Sequence, residues 1–586
     1  MKKILNLLLI ISLLHISVIA KIIEKIEVKE NIYSLFNSNA AIVVITDADL
    51  ERLKISDLSS LFKILPGVNV MRRGPSDTSF DISMSGGNFE QTVVLLEGIP
   101  VNNPQTGHFN TDIPIGIGDI ERIVITKGVS NNSSSLGLSG TINIILKKQS
   151  KLRFSITGGD KNLFSLNVSN GIKAGKFNIG LSGAKRNSTG YYKGNEFNTL
   201  NFLSYIKFKE EKFSADFKFG KVKKNLGANN FYADYPSIES IDSWFANLSV
   251  KESFGNSEIL FSYMKNVHDD SFILDRYNRS LYSNKSITGK DFLRFYALTR
   301  RNEISFSGGF DVVFEDMKSS MMGVVKRKRG GIFIDISKER STWSYDAEFR
   351  MELILNSMPV FTYNFNFFKK IRENFSLKIS SGRKIRLPSF TELYYNSPAN
   401  IGNRDLKREV SFNNQILFSF YRTRSVLTLS LYLKNQNNII DWTKSPQDKV
   451  WSASNISEKD IFGFEISGNL NFVRGGISSS VEKIFSLNNN HGFESKYGLR
   501  FPDLLLKIRG FYKITNGIDF SSVYIYKRIF KTTQKGNFLD ISLSVSIGKY
   551  EMTLHADNLF NTIIEEIPGI KVPGRWIYIS FSLKNS

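Results

Sequence analysis

From about Lys151 to the end of the chain one pattern recurs: short segments alternate apolar and polar residues and are separated by turn residues. Phe164, Leu166 and Val168 interleave with Ser165, Asn167 and Ser169. Asn170-Gly171 then reads as the turn, and Phe177, Ile179 and Leu181 interleave with Asn178, Gly180 and Ser182 on the return. The signature repeats with Leu200, Phe202, Ile206 and Phe208, a charged turn at Lys209 to Lys212, and Phe213, Ala215, Phe217 and Phe219. It repeats again where Trp343, Tyr345, Ala347, Phe349 and Met351 alternate with Ser344, Asp346, Glu348 and Arg350. A period of two with one apolar and one hydrophilic face is the signature of strands. Segments of about ten residues match tilted membrane strands, and roughly 20 residues per strand and connection predicts on the order of 22 strands, a barrel whose lumen needs a plug. Hydrocarbon leaves no partner for an unpaired backbone group, so such a sheet has to close on itself. Trp576 to Leu583 is the predicted closing strand, paired with the first.

The region from about Ala40 to Lys148 reads differently. Ile42 to Ile45 predicts a strand, Thr46 or Asp47 caps a short helix, and Leu58, Leu61, Phe62 and Leu65 lie at helical spacing before Pro66-Gly67 stops the run. Val93 to Leu96 and Ile120 to Thr126 predict further strands. The fold class is therefore an all-β transmembrane barrel of about 22 antiparallel strands with an N-terminal α+β plug domain in its lumen. At the start, Lys2 and Lys3, the apolar run Ile4 to Leu14 and Val18-Ile19-Ala20 read as a signal peptide. The expected division is signal peptide 1–20, periplasmic N-terminal segment 21–39, plug 40–148 and barrel 149–586.

Composition narrows the chemistry. The 586 residues contain no cysteine, which excludes disulfides and thiolate metal sites, and the five histidines are scattered, so no metal site and no cofactor is expected. No Ser/His/Asp or paired-carboxylate arrangement has plausible spacing, so no catalytic residues and no enzyme are expected. The net charge of +22 accompanies no basic helix or nucleic-acid motif. The charge is read as lying on solvated loops or near anionic headgroups, with no nucleic acid as partner. Aromatic residues make up 13% of the chain, which suits interfacial girdles.

Several motifs, in order, resemble the TonB-dependent outer-membrane receptors. In the N-terminal domain they are Leu65-Pro66-Gly67-Val68, Val93 to Gly98, Ile120-Glu121-Arg122-Ile123 with Lys127-Gly128, and Leu136 to Ile145. In the barrel they are Arg386 to Tyr394, Gly402 to Glu409, Asn558-Leu559-Phe560-Asn561 and Pro573-Gly574-Arg575-Trp576. The chain departs from the family where Ile82-Ser83-Met84-Ser85-Gly86 replaces a usual Ile-Arg-Gly, where Lys127-Gly128-Val129 replaces Arg-Gly-Pro, where Glu97 replaces aspartate, and in its non-aromatic end.

The resemblance implies active import across the outer membrane by a monomer, with TonB, backed by ExbB and ExbD, pulling on the plug from the periplasm. Outer-membrane lipid and lipopolysaccharide are the implied surroundings. The candidate TonB box runs from Glu24 to Glu30, where Ile26 and Val28 alternate with charged residues and suit strand addition to a partner's sheet edge. Arg122 and Lys127 are expected to pair with Glu392 and Glu409 near the periplasmic rim. Ligand contacts are expected on the plug loops Asn69 to Asp81 and Asn102 to Pro114, with Arg72, Arg73, Asp77, Gln105, His108, Phe109 and Asn110 as candidates, and on a barrel segment carrying Tyr232 and Tyr235 that is similar to one in cobalamin-type receptors. That segment favours cobalamin or a related corrinoid. A ferric siderophore, haem or another metal chelate is the alternative, and a passive porin or barrel adhesin the alternative from another class.

Overall fold

A computed structural model describes residues 42–74, 78–128, 137–147, 151–232, 234–487, 492–567 and 569–583. The signal peptide, the box residues Glu24, Ile26 and Val28, and Asp77 lie outside the described residues. Among those described, 22 long strands close into one antiparallel barrel, and Trp576–Leu583 pairs with Arg153–Gly159 to seal it, Tyr578 opposite Gly159 and Leu583 opposite Phe154. The alternation read from the sequence is the wall itself. Leu200, Phe202 and Ile206 are exposed outward at 54%, 42% and 46%, while Ser344, Asp346, Glu348 and Arg350 are buried on the lumen side.

The two ends of the barrel differ. At one, strands join through turns of two or three residues, as between Phe177–Ser188's predecessor Leu163–Ala174 and itself, or between Lys535–Ile547 and Tyr550–Asp557. At the other, longer connections span 228–237, 387–408, 487–501 and 558–575. Short turns face the periplasm and long loops the outside in barrels of this kind. One predicted turn is corrected. Asn170-Gly171 lies inside the strand Leu163–Ala174, with Gly171 opposite Gly180, and the chain reverses at Gly175, whose φ is +58°.

Inside sits the plug, a five-stranded sheet in the order Ile42–Thr46, Ile120–Lys127, Gly140–Leu146, Thr92–Leu96, Ile99–Pro100, with a separate hairpin of Val68–Arg72 and Phe80–Met84. Local chemistry explains its punctuation. Thr46 and Asp49 form a capping box on the helix Asp47–Arg52, and Asp57 caps Leu58–Ile64 through the Ser60 amide. That second helix ends because Pro66 forces Leu65 out of the helical region, to ψ 131°. Glu97 and Gly98 both take positive φ, which a two-residue hairpin turn before Ile99 requires. The plug core, including Leu61, Phe62, Val94, Ile123 and Ile142, runs on without a break into Leu203, Phe245, Met264, Phe292 and Val313 of the wall. One apolar cluster therefore ties stopper to cylinder.

Candidate functional site

The plug face below the long loops is built around Arg73, which closes the hairpin strand Val68–Arg72 and is fully buried. Its Nη2 donates to Asp81 at 2.7 Å and lies 3.0 Å from His108 Nδ1, which is itself 2.9 Å from Asp81. Burial works against the Arg73 charge, but Asp81, Tyr497 and Tyr232 together outweigh it and hold the guanidinium above its usual pKa, while Asp81, despite burial, is held below the carboxylate range by Arg73 and His108. For His108 burial dominates, Arg73 adds to it, and the imidazole is pushed down to about 4, so it is neutral at physiological pH.

Rings enclose this group. His108 stacks on Phe89 at 4.1 Å between centroids and lies 5.5 Å from both Tyr232 and Tyr497. Arg73 sits over Tyr232 at 5.1 Å, a cation–π contact, and donates to the Phe231 carbonyl. Two outer loops are thereby drawn onto the plug, and Lys496 ties them together by donating to the Tyr232 carbonyl and to Asn400. Tyr232 Oη donates to Glu239 at 3.1 Å. Tyr235 packs with Phe272, Leu274 and Tyr282.

The second plug loop is equally enclosed. Gln105 accepts from Thr288 Oγ1 at 2.7 Å, and its carbonyl accepts from the Thr391 amide at 2.9 Å. Asn110 Oδ1 accepts from the Asn103 amide. Phe109 lies 4.3 Å from the His268 ring, within a cluster containing Phe197, Leu226 and Trp576. Arg72 stands apart, its amide bonded to Glu566 on the last long loop. Arg73, Gln105, His108, Phe109, Asn110 and Tyr232 thus gather at one end of the lumen. The cavity left among Asn103, Phe109, Asp112, His268 and Lys290 has a volume of about 40 Å³. A far larger one, about 400 Å³, lies on the short-turn side, between the plug around Ile55 and Ile117 and the wall at Ser169, Ser182 and Asn201.

The expected plug–barrel pairs are corrected in partner and in place. Arg122 pairs with its neighbour Glu121, and Lys127 crosses to the wall but meets Glu465. Glu392 and Glu409 belong to the long-loop end of the strands rather than to a periplasmic rim. Both bind Arg386, at 2.8 and 2.5 Å. The plug reaches this cluster through Gln91, which donates to Glu409 at 3.2 Å, and Glu90, whose carboxylate is 3.8 Å from Arg386. Burial, reinforced by Glu392, raises the Glu90 carboxyl above its usual range, and it accepts from the Gly107 amide of the second plug loop at 2.8 Å. Other charged pairs join plug to wall, among them Lys54–Glu551 at 2.7 Å, Lys224–Asp112 at 2.6 Å and Lys63–Asp540.

Sequence reasoning missed Asp81, Phe89, Glu90, Glu465, Lys496 and Tyr497. Arg386 stood inside a quoted motif without a role. An inward position in a period-two strand was the one available signal for Glu465; nothing local marked the loop residues.

The chain resembles known proteins in sequence and in fold. The TonB-dependent Receptor Plug Domain matches residues 34–141, and the TonB dependent receptor-like beta-barrel matches residues 147–559. The chain is 22% identical over 471 residues to the Vitamin B12 transporter BtuB of Vibrio vulnificus (strain YJ016), covering 73% of this chain and 72% of that protein. In fold it is similar to the siderophore receptor PirA from Acinetobacter baumannii, with a TM-score of 0.77, 14% identity and coverage of 93% of this chain and 98% of PirA. It is also similar to the copper transporter OprC, with a TM-score of 0.78, 13% identity and coverage of 93% and 98%.

Proposed function

The chain belongs to the TonB-dependent receptor family of outer-membrane transporters, and from that premise we propose that its cargo is a corrinoid, cobalamin or a close relative. The observation that carries this reading is the enclosed plug face itself. Amides of Asn103, Gln105 and Asn110 stand beside the rings of His108, Phe109 and Tyr232, and hydrogen-bonding side chains next to stacking surfaces suit a large, amide-fringed macrocycle. The similarity to a vitamin B12 transporter along nearly three quarters of the chain supports the same choice.

A ferric chelate is the second reading. Fully buried Arg73, with Lys496 nearby and tyrosines around both, offers positive charge over aromatic faces, which favours an anionic chelate. The porin and adhesin alternatives are set aside, because a folded plug occupies the lumen and shares its core with the wall. TonB, energised through ExbB and ExbD, would engage the segment around Glu24, Ile26 and Val28, which precedes the plug's edge strand Ile42–Thr46.

Binding of a panel of corrinoids and ferric chelates to the purified, detergent-solubilised receptor tests the choice. Nanomolar binding of cyanocobalamin with none of the ferric chelates is the expected result; binding of ferric chelates alone overturns it.

A further inference from the structure

Among the described residues, barrel lysines turn into the lumen and donate to main-chain carbonyls of the plug. Lys290 bonds Pro100 and Asn102, Lys434 bonds Ser85, Lys459 bonds Gly86, and Lys527 bonds Val70. Another, Lys507, is concentrated on one turn. Its ammonium donates to the carbonyls of Lys63, Leu65 and Val68 at 2.6, 2.7 and 2.6 Å, which uses all three of its donors. These carbonyls flank Pro66-Gly67, at the end of the helix Leu58–Ile64 where carbonyls have no partner in the helix and the helix dipole favours a cation.

The surroundings make the cradle exclusive. Lys507 is 3% exposed, and the cavity beside it, lined by Lys63, Val68, Leu505 and Lys527, has a volume of about 20 Å³, space for one water at most. Gly67, at φ +65°, is closed over by Lys127: a Cβ there would lie 2.5 Å from the Lys127 Nζ that pairs with Glu465. Backbone carbonyls as acceptors also mean that the wall holds this turn by its shape, independent of the plug's side chains.

Its place along the chain gives the cradle a direction. Among the described residues Ile42–Thr46 is the edge strand of the plug sheet and pairs only with Ile120–Lys127. A pull arriving through the N-terminal segment therefore loads, in order, that strand, the helix Asp47–Arg52, the helix Leu58–Ile64 and then the cradle. Up to that point the plug meets the wall at contacts spread over several residues: Lys54 with Glu551 and Asp519, the Leu53 carbonyl with Ser521, Ser56 and Asp57 with Arg186, and Leu53 and Ile64 packed on Leu505, Val523 and Ile525. At the cradle three bonds to one buried lysine have to break together.

We propose that Lys507 is a positioning residue for transport: it keeps the body of the plug, from Lys63 onward, seated when force from TonB loosens the part before Lys63. The proposal rests on TonB-driven transport and on engagement of the N-terminal segment, and not on the identity of the cargo.

The test compares full-length receptor carrying Lys507→Met or Lys507→Arg in otherwise identical cells with and without TonB, using vancomycin, which an intact outer membrane excludes, as the probe of a displaced plug. The expected result is a several-fold rise in vancomycin sensitivity for Lys507→Met in cells with TonB, none in cells without it, and native behaviour for Lys507→Arg. Equal leakage in both strains overturns the proposal, since Lys507 would then only maintain the resting plug. Unchanged sensitivity in both overturns it as well. Should Lys507→Met not assemble, as judged by heat-modifiable mobility, Lys507→Gln keeps one donor face and is read by the same comparison. Deleting Lys21 to Glu30 from Lys507→Met separates the two premises: leakage abolished supports the direction of pull, whereas leakage that needs TonB but survives the deletion overturns it and removes the N-terminal engagement instead.

Discussion

Single residues in this receptor matter according to what they leave behind when removed. Arg386 neutralises Glu392 and Glu409, both buried, and no other cation bonds to either among the described residues. Arg386→Met therefore strands two carboxylates in a dry site, a loss of roughly 3 to 5 kcal/mol. Arg122→Met removes only a partly exposed pair between neighbours and costs at most about 1 kcal/mol. Urea midpoints of the two variants, measured in detergent, should fall in that order, and equal midpoints would contradict the hub. His108 gives a pH dependence of definite sign. In the closed apex its pKa is about 4, against an ordinary value of 6.5, so an opened apex binds the proton first as pH falls. The closed form thus loses stability between pH 6.5 and 4, by up to about 3 kcal/mol. Glu90, held protonated by burial, acts in the opposite sense as pH rises, so His108→Gln is the variant that isolates the imidazole. Corrected for the intrinsic pH dependence of amide exchange, protection at residues 105–112 should fall more on acidification in the native chain than in that variant; superimposable profiles remove the imidazole from the account.

At the scale of elements, legibility followed the range of the interaction. The alternation of Trp343 to Met351 is a property of one strand facing lipid on one side and lumen on the other, and it was readable in full. So was the helix Leu58–Ile64, because its cap, Asp57, and its terminator, Pro66, are adjacent in sequence. Asn170-Gly171 misled because its turn preference is local, whereas the strand through it is fixed by ladders to both neighbours, Arg153–Gly159 and Phe177–Ser188. Glycine within a strand is tolerated when pairing on both sides decides the conformation. The plug–wall bonds were the least legible. Period two says that Lys507 points inward, but its acceptors at Lys63, Leu65 and Val68 are about 440 residues away in sequence and are backbone atoms that no side-chain pattern marks. Some of the basic charge read as surface charge is likewise interior, Lys290, Lys434, Lys459, Lys507 and Lys527 among it. Resemblance named the carboxylates Glu392 and Glu409 while assigning the wrong cations, because the true one, Arg386, is supplied by the wall itself.

For the molecule as a whole, the closed apex sets a condition on transport. A bound small molecule normally buries most of its surface in a cavity of about 300 to 1,000 Å³, and the cavity among Asn103, Phe109, Asp112, His268 and Lys290 is about 40 Å³. Loading therefore requires the outer loops to part from the plug. One seam joins them by main chain: the Phe390 and Thr391 amides donate to the carbonyls of Pro104 and Gln105, each at 2.9 Å. Residues bonded in this way have Cα atoms roughly 5 to 6.5 Å apart, within the span of a disulfide. Because the native chain has no cysteine, Gln105→Cys with Thr391→Cys introduces a single possible bridge. Oxidation should abolish uptake and high-affinity binding, reductant should restore both, and neither single variant should respond to either reagent. If the oxidised receptor bound and transported its cargo normally, the seam at Gln105 would not be the one that opens, and the path of the ligand would have to run past the loops bearing Tyr232 and Tyr497, where plug meets loop through Arg73 on the Phe231 carbonyl and through the rings of His108 and Phe89.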